Sequence, residues 1–247
     1  MTSVSDVEEA ATALREGADV LDVKDPRAGS LGACPPALLR AVVALRDQAA
    51  ATGRRVPVSA ALGDAPDLPG TFALAAAGAA ACGVDYLKIG LRGVRHERDS
   101  TALLSAVVEA ARAVAPGARV VAGAYAEAAS IGAIEPRFLP DVAKRSGADG
   151  CLIDTFLKDG RTLFDHLAPG AISAFVDACR RRGLLCGLAG SLGAGDLPLL
   201  LEIGPDVIGV RGAICEGGRH GPLDPRRLRS FREALLGAAA VLRPPVA

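Results

Sequence analysis

A tripeptide recurs four times along this chain, each time just ahead of a short apolar run: Gly17-Ala18-Asp19, Gly83-Val84-Asp85, Gly147-Ala148-Asp149 and Gly204-Pro205-Asp206. The copies stand roughly sixty residues apart, the length of two βα units, so they mark alternate strands of one repeating architecture. The glycine suits the left-handed position that ends a helix. The apolar runs read Val20-Leu21, Val56 to Leu62, Tyr86 to Leu91, Val120 to Tyr125, Cys151 to Phe156, Leu184 to Ala189 and Val207 to Val210. They are near-continuous rather than alternating, as parallel strands covered on both faces should be. Helical stripes lie between them: Val7, Ala10, Ala11 and Leu14 follow the spacing i, i+3, i+4, i+7, as do Leu104, Val107, Val108 and Ala111. An eighth strand must come from Thr2 to Val4. The regularity predicts an α/β fold, a single-domain (β/α)8 TIM barrel over residues 1–242, with residues 243–247 as a frayed tail. A doubly wound open sheet is the competing fold.

The repeat aligns side chains without a structure. Counted from each glycine, Asp22 and Lys88 stand at plus five; Lys24, Asp154 and Arg211 stand at plus seven. Residues two apart in a strand share a face. The five polar side chains should therefore point the same way, with Gly90 and Gly209 leaving room beside them. Alternate strands of such a barrel fill shared interior layers, and active sites lie at the C-terminal strand ends. The expectation is a polar cluster of Asp22, Lys24, Lys88, Asp154 and Arg211 at that mouth.

Burying several charges is costly unless they pair, so an inert salt-bridge network is one reading. The other is catalytic. A desolvated lysine among cations has a lowered pKa, and a neutral amine can form a Schiff base. A second lysine or an aspartate can then move protons. Lys24, Lys88 and Asp154 fit this division, with Lys158 one helical turn beyond Asp154. Glycine-bearing loops follow three strands: Ala189-Gly190-Ser191, Arg211-Gly212-Ala213 and Ala28-Gly29-Ser30-Leu31-Gly32. Loops after the last two strands form the usual phosphate site of this fold.

Composition removes other classes. The formal net charge is zero and only 3% of residues are aromatic, so neither a basic tract nor stacking rings invite nucleic acid. No apolar run is long enough to cross a bilayer, and no signal peptide precedes the first helix. The six cysteines are scattered without a C-x-x-C pair, which suits a reduced cytoplasmic protein. His96, His166 and His220 are isolated and polar-flanked, and are expected to be exposed. No metal site and no dinucleotide fingerprint is found, so no cofactor is expected. The Ala/Gly-rich stretch from Ala73 to Cys82 could pack against its own barrel or another subunit; a homo-oligomer is the expectation.

The stretch Asp22-Val23-Lys24-Asp25-Pro26-Arg27-Ala28-Gly29-Ser30-Leu31-Gly32-Ala33 resembles the signature of the (5-formylfuran-3-yl)methyl phosphate synthases of methanofuran biosynthesis. Further stretches are similar, in order along nearly the whole chain: Gly83 to Leu91, Leu152 to Thr155, Lys158-Asp159-Gly160, Leu163 to Asp165, Leu188 to Leu192 and Gly209 to Ala213. The resemblance implies a barrel lyase that condenses two glyceraldehyde 3-phosphate molecules into a phosphorylated furan aldehyde, releasing phosphate and water. It implies Lys24 as the Schiff-base lysine, Lys88 as the proton-transferring lysine, and Asp22, Asp154 and Lys158 as supporting groups. Substrate phosphates would meet Gly190, Ser191, Arg211, Gly212, Ala213, Ser30 and Gly32. The start of the chain departs from the family pattern, which carries a fuller first strand. A Schiff-base triose-phosphate aldolase and a non-catalytic phosphometabolite-binding barrel are the alternatives.

Overall fold

The structure is a computed structural model that describes residues 1–51 and 53–242; the expected tail, 243–247, lies outside the described residues. Eight strands form one parallel sheet in chain order: β1 (Thr2–Val4), β2 (Leu21–Val23), β3 (Val58–Asp64), β4 (Tyr86–Gly90), β5 (Arg119–Tyr125), β6 (Gly150–Asp154), β7 (Leu185–Leu188) and β8 (Val207–Ile208). The crossovers carry α1 (Val7–Arg15), α2 (Pro36–Ala50), α3 (Pro69–Ala80), α4 (Glu97–Val114), α5 (Ala128–Ile131), α6 (Leu139–Ser146), α7 (Leu163–His166), α8 (Pro169–Arg181) and α9 (Leu197–Ile203), and α10 (Pro225–Leu242) follows the last strand. The fold is TIM-barrel-like, and the open doubly wound order is excluded by the sequential pairing.

The expected barrel closure is partial. β8 is two residues long, and the chain past it meets β1 through a single Thr2–Val210 bridge rather than a ladder. Three main-chain bonds hold that seam among the described residues: Ser3 N–H to Val210 O at 3.1 Å, Val210 N–H to Met1 O at 3.1 Å and Met1 N–H to Ile208 O at 2.9 Å. Short strands on both sides of the seam leave too few backbone groups for more.

The Gly-x-Asp repeat has a double function. Gly17, Gly83, Gly147 and Gly204 end α1, α3, α6 and α9 with φ of 81°, 82°, 76° and 72°, the left-handed region that a side chain resists. The aspartate then clamps the preceding strand. Val58, Val120 and Cys186 each donate a backbone N–H to the carboxylate of Asp85, Asp149 and Asp206, all at 2.8 Å. Each aspartate's own N–H returns a bond to the same residue's carbonyl. The first copy differs: Asp19 is exposed and faces Arg54.

Side chains alternate across each strand. Leu21, Val23, Leu87, Ile89, Val120, Ala122, Cys151 and Ile153 join the large core beneath the helices. On the other face, Leu31, Ala61, Leu152 and Ala189 form a small separate cluster. That inner face also carries Asp22, Lys88 and Asp154, all buried. The Ala/Gly-rich α3 packs closely on α4, its own neighbour. Its Leu74 is exposed. One histidine corrects its expectation: His166 is not exposed but folded against Glu127, with a side chain 8% accessible and Nε2 3.8 Å from the carboxylate. Glu127 is fixed there because it accepts the N–H groups of Phe156 and Leu157 at 3.0 and 2.8 Å. Among the described residues no helix is long and apolar enough to cross a membrane.

Asp149→Ala should lower unfolding free energy by about 1–3 kcal/mol, since the buried Val120 amide loses its acceptor. Urea denaturation checks this; an unchanged midpoint and slope would show that the clamp contributes nothing.

Candidate active site

The C-terminal strand ends surround a cavity of about 430 Å³. Its walls include Asp22 and Lys24 from β2 and its following loop, Lys88 from β4, Asp154 from β6, and Lys158 from the loop beyond. The β7 loop adds Gly190 and Ser191, and the β8 loop adds Arg211, Gly212, Ala213 and Arg219. Ser30 and Gly32 are not part of this wall. Ser30 is buried with its hydroxyl on Thr155 O at 2.9 Å. Gly32 lies so close to the Asp25 carbonyl that no Cβ fits.

Two ion pairs set the electrostatics. Lys88 Nζ stands 2.6 Å from Asp22 Oδ1, an ion contact without the alignment of a directed hydrogen bond. Ser3 of β1 donates to the other Asp22 oxygen at 2.9 Å. Burial works against ionisation of Asp22, yet Lys88 and Lys24 hold its carboxyl below the usual range. Lys158 Nζ bonds Asp154 Oδ1 at 2.9 Å and Thr155 Oγ1 at 3.0 Å. Burial again opposes ionisation, and Lys158 with Lys24 holds Asp154 well below the carboxylate range.

Lys24 stands between these pairs without a carboxylate of its own. Its nearest polar contact is the Ser30 carbonyl at 3.3 Å. Burial pushes its pKa down to about 8, against the opposing pull of Asp154 and Asp22 and with the help of Lys88 and Lys158. At pH 7.4 about one fifth of such an amine is neutral, against about one in a thousand for an ordinary lysine. The cavity thus holds two ionised carboxylates and one amine that is ready to attack a carbonyl.

Arg211 lies in the wall, as expected from the repeat, but its guanidinium turns away from the ligand space. It bonds Glu9 at 2.8 and 3.2 Å, the Ser3 carbonyl at 3.1 Å, the Arg219 carbonyl at 2.7 Å and the Gly221 carbonyl at 3.3 Å. Glu9, on the buried face of α1, also accepts from Ser5 and Leu223 amides. Its role was invisible in a sequence where it reads as one of several first-turn acids.

Asp64 is a second residue that the sequence does not single out. A register shift between Ala61 and Asp64, with Gly63 at φ 123°, brings its carboxylate across to the Gly29 loop. There it accepts from Ser30 N–H at 2.9 Å, Leu31 N–H at 3.2 Å and the Tyr125 hydroxyl. A Cβ on Gly29 (φ 133°) would collide with it. The loop so fixed inserts Leu31 into the inner cluster and presents the Ser30 carbonyl to Lys24. The signal available was position: Asp64 stands just past the Val56 to Leu62 run, at the C-terminal end of β3, as Asp154 stands at that of β6.

The β7 loop holds one backbone conformation of interest. Ser191 lines the cavity at φ 52°, a left-handed position that costs a non-glycine residue about 1–3 kcal/mol. Gly190 before it, at φ 114°, has Thr155 within 2.9 Å of where a Cβ would stand. Among the described residues no three His, Cys, Asp or Glu side chains converge to hold a metal ion.

Fold and site together define a class: a TIM-barrel-like α/β protein with paired lysines and aspartates, and one unpaired lysine, at the mouth of its sheet. Phosphoribosyl anthranilate isomerase from Thermus thermophilus shares the fold, with a TM-score of 0.57 at 18% identity over 98% of both chains. The family model described as 4-HFC-P synthase matches residues 1–232. The (5-formylfuran-3-yl)methyl phosphate synthase of Methanocaldococcus jannaschii is 42% identical over 94% of this chain and 97% of its own length. That of Methanothermobacter thermautotrophicus is 44% identical over 95% and 98%. The chain belongs to the 4-HFC-P synthase family, and it is an enzyme.

Lysine-selective NMR should find the Lys24 ammonium titrating near pH 8, assigned by its absence in Lys24→Arg. Because Asp154 raises this pKa, Asp154→Asn should move it further down. A Lys24 titration near 10.4, or an upward move in the variant, would contradict the electrostatic account.

Proposed function

We propose that the enzyme condenses two glyceraldehyde 3-phosphate molecules into (5-formylfuran-3-yl)methyl phosphate, releasing phosphate and water, through a Schiff base on Lys24. The reaction is that of a carbon–oxygen lyase serving methanofuran biosynthesis. The observation that carries the reading is the buried Lys24 amine, unpaired and lowered to about 8, between two ion-paired aspartates. The synthase names of the M. jannaschii and M. thermautotrophicus relatives support the furan phosphate product.

In this reading Lys24 attacks the aldehyde of one glyceraldehyde 3-phosphate, while the second is isomerised to its ketone form. The iminium acts as an electron sink for loss of the adjacent proton. Lys88, held against Asp22, or Asp154, held against Lys158, exchanges that proton. The enamine expels the phosphate from the adjacent carbon, and that carbon, after tautomerisation, adds to the ketone carbon of the second triose. The free hydroxyl of the second triose closes the ring, and loss of two waters with hydrolysis from Lys24 gives the aromatic furan aldehyde. Gly190, Ser191, Gly212 and Ala213 line the cavity where the phosphates would lie. Ser30 and Gly32 shape the Lys24 loop rather than touch ligand. The reading retains a single domain over residues 1–242, with the Thr2–Val210 bridge as the barrel's seam, and a homo-oligomer in the cytoplasm, where free cysteines stay reduced.

Purified enzyme given glyceraldehyde 3-phosphate should develop a near-ultraviolet furan aldehyde band with matched release of inorganic phosphate. Lys24→Arg should abolish both, and Lys88→Met should lower kcat by about 10²–10⁴-fold. A triose adduct without furan or phosphate would instead mark an aldolase, and no reaction would overturn the assignment.

A further inference from the structure

The cavity's cations differ in what neutralises them. Lys88 stands on Asp22, Lys158 on Asp154, and Arg211 on Glu9. Lys24 is the amine that can shed its charge. Arg219 is different. It lines the cavity from the β8 loop, yet its side chain's only hydrogen bonds among the described residues are two from Nη2, to the Pro26 carbonyl at 2.9 Å and the Gly29 carbonyl at 2.8 Å. Its Nε and Nη1 have no protein partner there, and no carboxylate pairs with it.

A half-buried guanidinium remains charged at any working pH, so it needs an anion or water on its free side. Burial works against its charge, with the help of Arg211 and against the pull of Asp154, Asp64 and Asp25, none of which it contacts. The Arg211 Nε bond to the Arg219 carbonyl fixes its backbone from the other side. The side chain is therefore held in place at both ends before any ligand arrives.

We propose that Arg219 is the cation that recognises a substrate phosphate in this cavity, through Nε and Nη1, while its Nη2 ties the bound phosphate to the Pro26–Gly29 loop that follows Lys24. The ligand class is a phosphate monoester of a short carbonyl compound. The inference deepens the synthase reading and rests on it for the substrate, but not for the anion. Arg219 acts as a specificity-determining residue: phosphate occupancy and the loop beside the Schiff-base lysine share one guanidinium. Arg211, which the β8 position favours on sequence grounds, is instead the strut that aims it.

The test measures inorganic phosphate binding by calorimetry, and borohydride-trapped adduct formation with glyceraldehyde 3-phosphate and with glyceraldehyde, in the wild type, Arg219→Gln and Arg219→Lys. The expected result is at least a tenfold weaker phosphate affinity in Arg219→Gln. The preference for the phosphorylated over the unphosphorylated triose should also fall at least tenfold. Arg219→Lys, which keeps the charge, should recover part of both. A purely structural role would slow both trioses together and leave their ratio and the phosphate affinity intact, and that outcome overturns the proposal. Failure of the synthase reading looks different: wild-type enzyme would form no furan, whereas the loss of phosphate affinity in Arg219→Gln would stand.

Discussion

The site is organised by the contact between Lys88 and Asp22, 2.6 Å apart inside the sheet. A buried carboxylate or ammonium alone would be expelled or neutralised, since desolvation costs several kcal/mol per ion. Paired, they can stay charged next to one another, and the same holds for Lys158 on Asp154. With both aspartates committed, Lys24 is left among two other ammonium groups in a water-poor space. The drop from 10.5 to about 8 corresponds to roughly 3 kcal/mol against its protonation. A stability-driven core would replace such a cluster with aliphatic side chains; here the cost is concentrated on one amine.

The surrounding frame holds these charges at fixed positions with backbone devices. The Gly-x-Asp clamps set the start of β3, β5 and β7 against the neighbouring even strands, and so fix the register on which every inward side chain depends. At the other end of the sheet, Asp64 collects the Gly29 loop and Leu31 covers the inner apolar cluster. Glu9 and Arg211 fasten the β8 loop to α1, across the seam where the sheet has little pairing of its own. The weakest part of the sheet is thus reinforced by a buried side-chain pair.

The sequence disclosed whatever follows a period. The four glycines fall at left-handed helix ends, Thr2–Val4 is a strand as the count of eight required, and the plus-five and plus-seven offsets put Asp22, Lys24, Lys88 and Asp154 into one cavity. What depends on a non-repeating contact was not visible. Arg211 shares the offset of Lys24 but is captured by Glu9, two hundred residues away in sequence. Asp64 reaches the Gly29 loop only because a register shift turns β3. Ser30 faces Thr155 and not the cavity because Asp64 holds its amide. His166 reads as a surface residue because nothing in its neighbours announces Glu127.

The proposed nucleophile is Lys24. Borohydride reduction of the wild-type enzyme with glyceraldehyde 3-phosphate, followed by peptide mapping by mass spectrometry, tests that role. One reduced triose adduct is expected, on the peptide that contains Lys24, forming about tenfold faster per pH unit below pH 8 and levelling above it as the amine becomes neutral. An adduct on Lys88 or Lys158, or a rate that ignores pH across this range, would contradict it.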